Sequence, residues 1–290
     1  MSGGNLQDIR RRVRSVKNIQ QITRAMKFVA ASKLRRAQDR MFAARPYANR
    51  MLAVLNSLAS RADSSHHPLL LEREQGKVML VVITSDRGLC GAFSANIIKA
   101  ATRFIEGEDA NRELSLTLVG RKAADWFGSR AWPIRHEYVN IMTRVDFKYA
   151  QEMAASLVEY YTAADVDAVY LVYNEFKSVV QQDVILEPLL PIRRLDLQEE
   201  DQPHLDYIYE QPPPVLFDHL LSRHVETQVF RALLESEAAE HGARMTAMDS
   251  ATRNAKEMID KLTLHMNRMR QAAITTELIE VVSGADALGK

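Results

Sequence analysis

The sequence predicts an α/β protein in which a small domain with a parallel-type sheet is set between two long terminal helices that pair as an antiparallel coiled coil. Three observations carry this reading. From Val215 to Lys290 there is no proline and, before Gly284, a single glycine, Gly242. Apolar residues return there at helical spacing, at Leu216, Leu220, Val229, Leu233, Met245, Met248, Ala255, Met258, Leu262, Met266 and Met269. An unbroken helix over 215–283 would be about 100 Å long, more than a globular domain requires. At the other end, taking one apolar residue per step from Ile9 (Val13, Val16, Ile19, Ile22, Met26, Val29, Leu34, Ala37, Met41, Ala44, Ala48, Met51, Leu55, Leu58) gives 14 steps over 49 residues. The mean step of 3.5 is the period of a left-handed coiled coil. Between the helices, Val78–Thr84 is a continuous apolar, β-branched run, as expected of a strand buried on both faces.

The elements follow in order. Asn5 with Asp8 three residues on resembles a capping box, from which the first helix runs towards Ser60 with Pro46 as its one expected bend. Ser64–Pro68 breaks the pattern and marks a boundary. After the strand at Val78–Thr84, a glycine-containing loop (Ser85–Gly91) leads into a helix over Ser94–Glu106. Leu114–Val119 reads as strand, Arg121–Arg130 as a short helix and Ile134–Val139 as strand. Asp146–Ala164 reads as helix, and Ala168–Tyr173 and Val184–Leu190 as strands. Strands alternating with helices make this a Rossmann-like α/β domain. Residues 196–214 are acidic and end in Pro212-Pro213-Pro214, a stop before the last helix. The division is 1–60, 61–214 and 215–290.

With 47% hydrophobic and 26% charged residues the chain is neither disordered nor membrane-embedded, and no apolar run reaches a bilayer's span. Arg10, Arg11, Arg12 and Arg14 come too early for a signal peptide, and the single cysteine, Cys90, fits a reducing cytosol. Both point to a soluble intracellular protein. The net charge of +1 conceals an asymmetry. Residues 1–60 carry 13 Lys/Arg against Asp8 and Asp39, a net of +11, whereas 61–214 carry −8 and 215–290 carry −2. The basic helix calls for an anionic partner or solvent, and charge alone leaves nucleic acid, a membrane surface and an acidic protein open.

Chemistry is scarce. There is no P-loop motif, and no GxGxxG follows Val78–Thr84. Asp86-Arg87-Gly88-Leu89-Cys90-Gly91 lies where α/β folds place ligands, but the glycines also suit a tight turn and Asp86 and Arg87 can pair locally. Cys90 has no CxxC partner and reads as a small packed residue. The eight histidines show no metal-ligand spacing. Eight of the twelve methionines lie in the terminal helices, where a coiled-coil seam accounts for most of them. From Gln271 to Gly289 there is no Lys or Arg, while Ile274, Leu278, Ile279, Val281, Val282, Ala285 and Leu288 accumulate. If the helices pair outward from the domain, the C-terminal one overshoots its partner by about 24 Å, and such an apolar tip requires another chain around it.

Four segments carry a resemblance. Met26-Lys-Phe-Val-Ala-Ala-Ser-Lys-Leu-Arg-Arg-Ala-Gln38 resembles the N-terminal helix of the γ subunits of F-type ATP synthases, and Thr84-Ser-Asp-Arg-Gly-Leu-Cys-Gly-Ala-Phe93 their strand–loop segment. Ile274–Ala287, with Thr275, Glu277, Glu280, Gly284 and Ala285, is similar to the family's C-terminal signature, and Ala243–Ala255 also fits. Phe28 stands where Met is common and Ser94 where Asn is common. The thiol-regulatory insert of plastid members is missing, and the start without a presequence favours a bacterial enzyme. The resemblance implies a non-catalytic central-stalk rotor, one copy per complex, turning inside a hexamer of α and β subunits. It would couple transmembrane proton flow to ATP synthesis or hydrolysis at the β-subunit sites. The ε subunit and the membrane ring of c subunits lie at its foot, on the cytoplasmic face of the plasma membrane. No metal or cofactor is expected on this chain, since MgATP and MgADP bind partner subunits. By position, Met26, Lys27, Lys33, Arg36, Arg270, Gln271 and Thr275 would meet the β subunit. Ile274, Leu278, Val282 and Leu288 would turn in the apolar collar, and Tyr207, Tyr209 and Glu210 would meet the c ring. Two other classes stay open at this point: a basic coiled-coil nucleic-acid-binding protein, and an α/β enzyme centred on Asp86 and Arg87.

Overall fold

The computed structural model describes residues 3–59, 67–74, 76–107, 112–192 and 213–288. They form two compact units, one of residues 31–244 and one of 1–30 with 245–290. Helix α1 spans Gly3–Ala59 and continues through Pro46, and α5 spans Pro213–Leu288. Asn5 lies within α1, whose described residues begin at Gly3, and Asp8 pairs with Arg11 at 2.9 Å along the helix face. No helix among the described residues is long and apolar enough to cross a membrane.

Residues 31–244 are built on a five-stranded sheet of order β3-β2-β1-β4-β5. Strands β1 (Lys77–Ile83), β2 (Glu113–Val119), β3 (Ile134–Tyr138) and β4 (Ala168–Phe176) are parallel. Helices α2 (Phe93–Ile105), α3 (Arg121–Phe127) and α4 (Phe147–Thr162) make the crossovers. The apolar run that marks the central strand is fully used, since Val78–Ile83 are at most 1% exposed. Asp146 caps α4 by accepting from the Lys148 N–H at 3.0 Å.

The last strand departs from the parallel-type sheet. β5 (Gln182–Leu190) runs antiparallel to β4, with Val169 opposite Leu190 and Phe176 opposite Gln182. Only residues 177–181 separate the two strands, too few for a parallel crossover, so the chain closes a hairpin instead. Within this unit α1 and α5 run antiparallel. Thr227 of α5 meets Met51 of α1, and Glu237 meets Arg40 at 3.1 Å. Leu34, Ala37, Met41, Met51 and Leu55 are buried, as are Leu221, Val225, Val229, Ala232 and Leu233.

Candidate functional site

The unit of residues 1–30 and 245–290 contains most of the sequence-predicted contact residues. Its helices are again antiparallel. Thr252 and Thr23 share a hydroxyl–hydroxyl bond of 2.9 Å, and the Lys27 ammonium donates to Asp249 at 2.6 Å. That bond, with Arg253 3.3 Å away, holds the Asp249 carboxyl below its usual range. Lys27 is therefore already answered within the chain. Among the described residues Ile9, Thr23, Ala30, Met248 and Ala255 are buried here.

The seam read from apolar spacing is thus partly displaced. Thr23 (9% exposed) and Ala30 (1%) occupy the interior, while Ile19, Ile22 and Val29 are 50–58% exposed and Phe28 is 61% exposed. A polar Thr23–Thr252 contact takes the place that the 3.5-residue pattern gave to Ile22. The outward set of Ile19, Ile22, Phe28 and Val29 is what sequence reasoning missed. Apolarity says that a side chain leaves water, without saying whose surface it meets.

Farther along α5 every expected partner-facing residue with a described side chain is exposed. Ile274 is 49% exposed, Leu278 60% and Val282 59%, joined by Ile279 and Val281. Arg270, Gln271 and Thr275 are exposed as well, and the Thr275 hydroxyl donates to the Gln271 carbonyl one turn back at 2.9 Å. Arg270 lies 21 positions beyond Asp249, about 32 Å along the helix. Met26 with Lys27 and Arg270 with Thr275 are consequently separate sites. The side chain of Leu288 and residues Tyr207, Tyr209 and Glu210 lie outside the described residues.

Lys33 and Arg36 belong to the other unit, Arg36 exposed and Lys33 half-buried in a charged cluster. The cluster explains the loop after β1. Asp86 does not pair with Arg87. Its carboxylate accepts three backbone N–H groups, from Arg121 (3.1 Å), Asn140 (2.7 Å) and Met142 (2.9 Å). Arg244 of α5 donates to the carbonyls of Arg87 (3.3 Å) and Gly88 (3.2 Å) and to Glu240 at 2.6 Å. At Gly88 an added Cβ would meet nothing within 4 Å, and the left-handed turn is taken by Leu89 (φ 65°) and Gly91 (φ 60°). Cys90 is buried beside Ser85. Arg244 thus anchors the loop after β1, at the end of the strand where a Rossmann-like fold would receive a nucleotide.

Burial sets the ionisation of this cluster. Desolvation pushes the Glu240 carboxyl up despite Arg244, and Glu237 up despite Arg40. Desolvation, with Arg244 and Lys33 nearby, lowers His241 to about 4. A second network fastens α5 to the hairpin. Arg231 grips Glu187 with contacts of 2.5 and 2.7 Å, and Glu187 accepts from Tyr173 at 2.7 Å. Glu235 accepts the Phe176 N–H at 3.0 Å. Beside them desolvation and Arg231 lower His224 to about 4. Among the described residues no group of three or more His, Cys, Asp or Glu side chains could hold a metal ion.

Residues 5–288 match the model of a family described as ATP synthase. The ATP synthase gamma chain of Geobacter sp. (strain M21) is 52% identical over 285 residues, covering 98% of this chain and 99% of that one. The chain belongs to the ATP synthase gamma-chain family. Another bacterial gamma chain, from Solibacter usitatus, is 52% identical over 287 residues, with 98% of this chain and 99% of the relative covered. Solved structures share the fold. A chain of the Tetrahymena thermophila mitochondrial ATP synthase central stalk and c ring has a TM-score of 0.60 at 26% identity, over 79% of this chain and 99% of that one. A chain of the Euglena gracilis mitochondrial ATP synthase has the same fold, with a TM-score of 0.69 at 19% identity over 99% and 95%.

Proposed function

We propose that this chain is the central-stalk rotor of a bacterial ATP synthase, turning inside a hexamer of α and β subunits and binding no nucleotide itself. The observation that carries the reading is the run of exposed apolar side chains at Ile274, Leu278, Ile279, Val281 and Val282. Side chains of that kind in such number call for a protein sleeve. A single asymmetric helix pair inside a three-fold collar meets the three β subunits unequally. Each β site is then held in a different conformation, and rotation moves every site through the series. This is allostery by differential contact, in which the rotor's angle selects the state. Proton flow through the c ring drives synthesis, and ATP hydrolysis drives the rotor backwards. One copy serves each complex, with ε and the c ring at its foot, peripheral to the membrane's cytoplasmic face.

Among the contact residues, Met26, Arg36, Arg270, Gln271 and Thr275 face the β subunits, and Ile274, Leu278 and Val282 run in the collar. Lys27 and Lys33 contribute less to an acidic β-subunit loop than their charge suggests, because Asp249 and the Glu237–Glu240 cluster already answer them. The same internal pairing weakens the nucleic-acid reading of the basic helix, since Arg40 is bound to Glu237 as well. Reconstitution with α and β subunits tests the reading. One copy per three αβ pairs, with MgATP hydrolysis raised above that of αβ alone, is expected. Failure to form the complex, with binding to DNA that weakens steeply as salt rises, would refute it.

A further inference from the structure

Helices α2 and α3 border an open groove of about 800 Å³, on a surface that the rotor reading leaves unassigned. Two rows of α2 run along it, one through Ser94, Ile98 and Thr102 and the other through Ala95, Lys99 and Arg103. Each row keeps the four-residue spacing that holds side chains on one face of a helix. Lys122 and Trp126, also four apart, form the opposite wall on α3. From Ser94 to Glu106 the lining extends about 18 Å at the helical rise. The groove is therefore elongated, about three helical turns long, and its shape suits a rod better than a compact small molecule.

Its charge runs against its surroundings. Residues 61–214 carry a net charge of −8, yet the groove is lined by Lys99, Arg103 and Lys122 against Glu106 alone. Among the described residues none of these three cationic side chains has an ion-pair or hydrogen-bond partner. Unpaired cations gathered in an otherwise acidic domain select a negative partner. The apolar part of the lining is held in place. Trp126 is 42% exposed, and Arg130 lies over its ring at 3.8 Å and donates to its carbonyl, as does the Ser129 hydroxyl at 3.0 Å. A fixed, half-exposed tryptophan beside Ile98 supplies an anchor of the kind in which binding energy concentrates.

We propose that the α2–α3 groove is a docking site for an acidic amphipathic helix of another protein. The apolar face of that helix packs on Trp126, Ile98 and Ala95, and its carboxylates meet Lys99 and Arg103 on one side and Lys122 on the other. A nucleic acid or an anionic lipid surface would answer the cations and leave the apolar floor unused. The site does not depend on the rotor reading.

The test uses the full-length chain with Trp132→Phe, so that Trp126, the remaining tryptophan, reports on the groove alone. The probes are two stapled helical peptides of about 14 residues, matched to the groove's length. They share one leucine face and carry either glutamates or lysines beside it. The glutamate peptide should shift Trp126 emission to the blue and saturate, and the lysine peptide should bind at least about tenfold more weakly. Lys99→Glu combined with Arg103→Glu, both at exposed positions of α2, should weaken the glutamate peptide by at least about tenfold as well. Equal affinity for the two peptides, no shift of Trp126, or affinity unchanged in the double variant would each overturn the proposal. An equal shift from a DNA duplex or from phosphatidylglycerol vesicles would also overturn it, because negative charge alone would then suffice.

Discussion

Two stretches of the same helix are opposite in character. From Ala232 to Gly242 of α5 every residue is buried, although the stretch contains Glu235, Glu237, Glu240 and His241. From Arg270 to Ser283 nearly every residue is exposed, although the stretch contains Ile274, Leu278, Ile279, Val281 and Val282. The more polar stretch is inside and the more apolar one outside. The first is completed by its own chain: Arg40, Arg244 and the Phe176 N–H satisfy the three glutamates. Among the described residues nothing covers the second, and under the proposed function the complex completes it. Stability of the isolated chain should therefore be governed by the first stretch, and assembly by the second.

The largest expected effect comes from removing the second stretch. Deleting 271–290 should leave the isolated chain folded and reduce formation of a complex with α and β subunits by at least an order of magnitude, as expected when several central apolar anchors are lost together. Deleting only 286–290 should be tolerated far better. Equal loss of complex and of MgATP hydrolysis from both truncations would break the comparison.

Single substitutions sharpen it. Leu233 is 0% exposed, so Leu233→Ala should lower the unfolding free energy of the isolated chain by about 2–5 kcal/mol in a urea titration. Leu278→Ala should not lower it, because the side chain is 60% exposed, and should instead weaken assembly. A smaller, purely backbone effect is expected at Gly120. Its φ is +87°, and an added Cβ would stand 2.3 Å from the Thr84 carbonyl oxygen. That carbonyl belongs to the residue whose hydroxyl bridges Val119 and Ala123, so it has little room to yield. Gly120→Ala should cost about 2–4 kcal/mol of chain stability from strain and crowding. A midpoint unchanged from wild type would show that this corner relaxes.

Sequence patterning reached the architecture because the strongest signals are also the largest energies. Val78–Ile83 is an apolar, β-branched run of strand length, and the terminal stretches, with little beyond Pro46 and Gly242 to interrupt them, read as long helices. Four parallel strands with crossover helices follow from the alternation, whereas the antiparallel β5 follows from a short connection that patterning overlooked. Less was legible at the site. Ile19, Ile22 and Val29 keep the coiled-coil period yet face outward, because Thr23 and Ala30 fill the narrow interior between the helices. Glu235 and Glu237 left no sequence signal, since each is made tolerable by a partner distant in the chain, the Phe176 N–H and Arg40, the latter 197 residues from Glu237, whereas Glu240 is met by Arg244 one turn on. The loop after β1 looked like chemistry because glycines and an Asp–Arg pair are common to active sites and to anchored turns. Arg244, 157 residues from Arg87, decides between them.

The smallest effect tests the interior stretch through its protons. His241 and His224 are buried with pKa values lowered to about 4, against an ordinary 6.5 when unfolded. Between those values the unfolded chain binds protons that the folded chain refuses, so stability falls as pH drops from about 6.5 towards 4. Each histidine contributes a slope of at most about 1.4 kcal/mol per pH unit. Glu237 and Glu240 act with the opposite sign. Their raised folded pKa values mean that the folded chain holds protons the unfolded chain has released, so they favour folding as pH falls through the same region. Wild type alone therefore shows a shallow, partly cancelled acid limb. His241→Asn removes one titration and keeps an acceptor near Arg244, whose Nη1 lies 3.3 Å from His241 Nδ1. Relative to wild type, the variant should gain about 1–2 kcal/mol between pH 7 and pH 4.5. Superimposable acid limbs would mean that His241 takes up its proton in the folded chain, and that this interior is more open to water than its burial indicates.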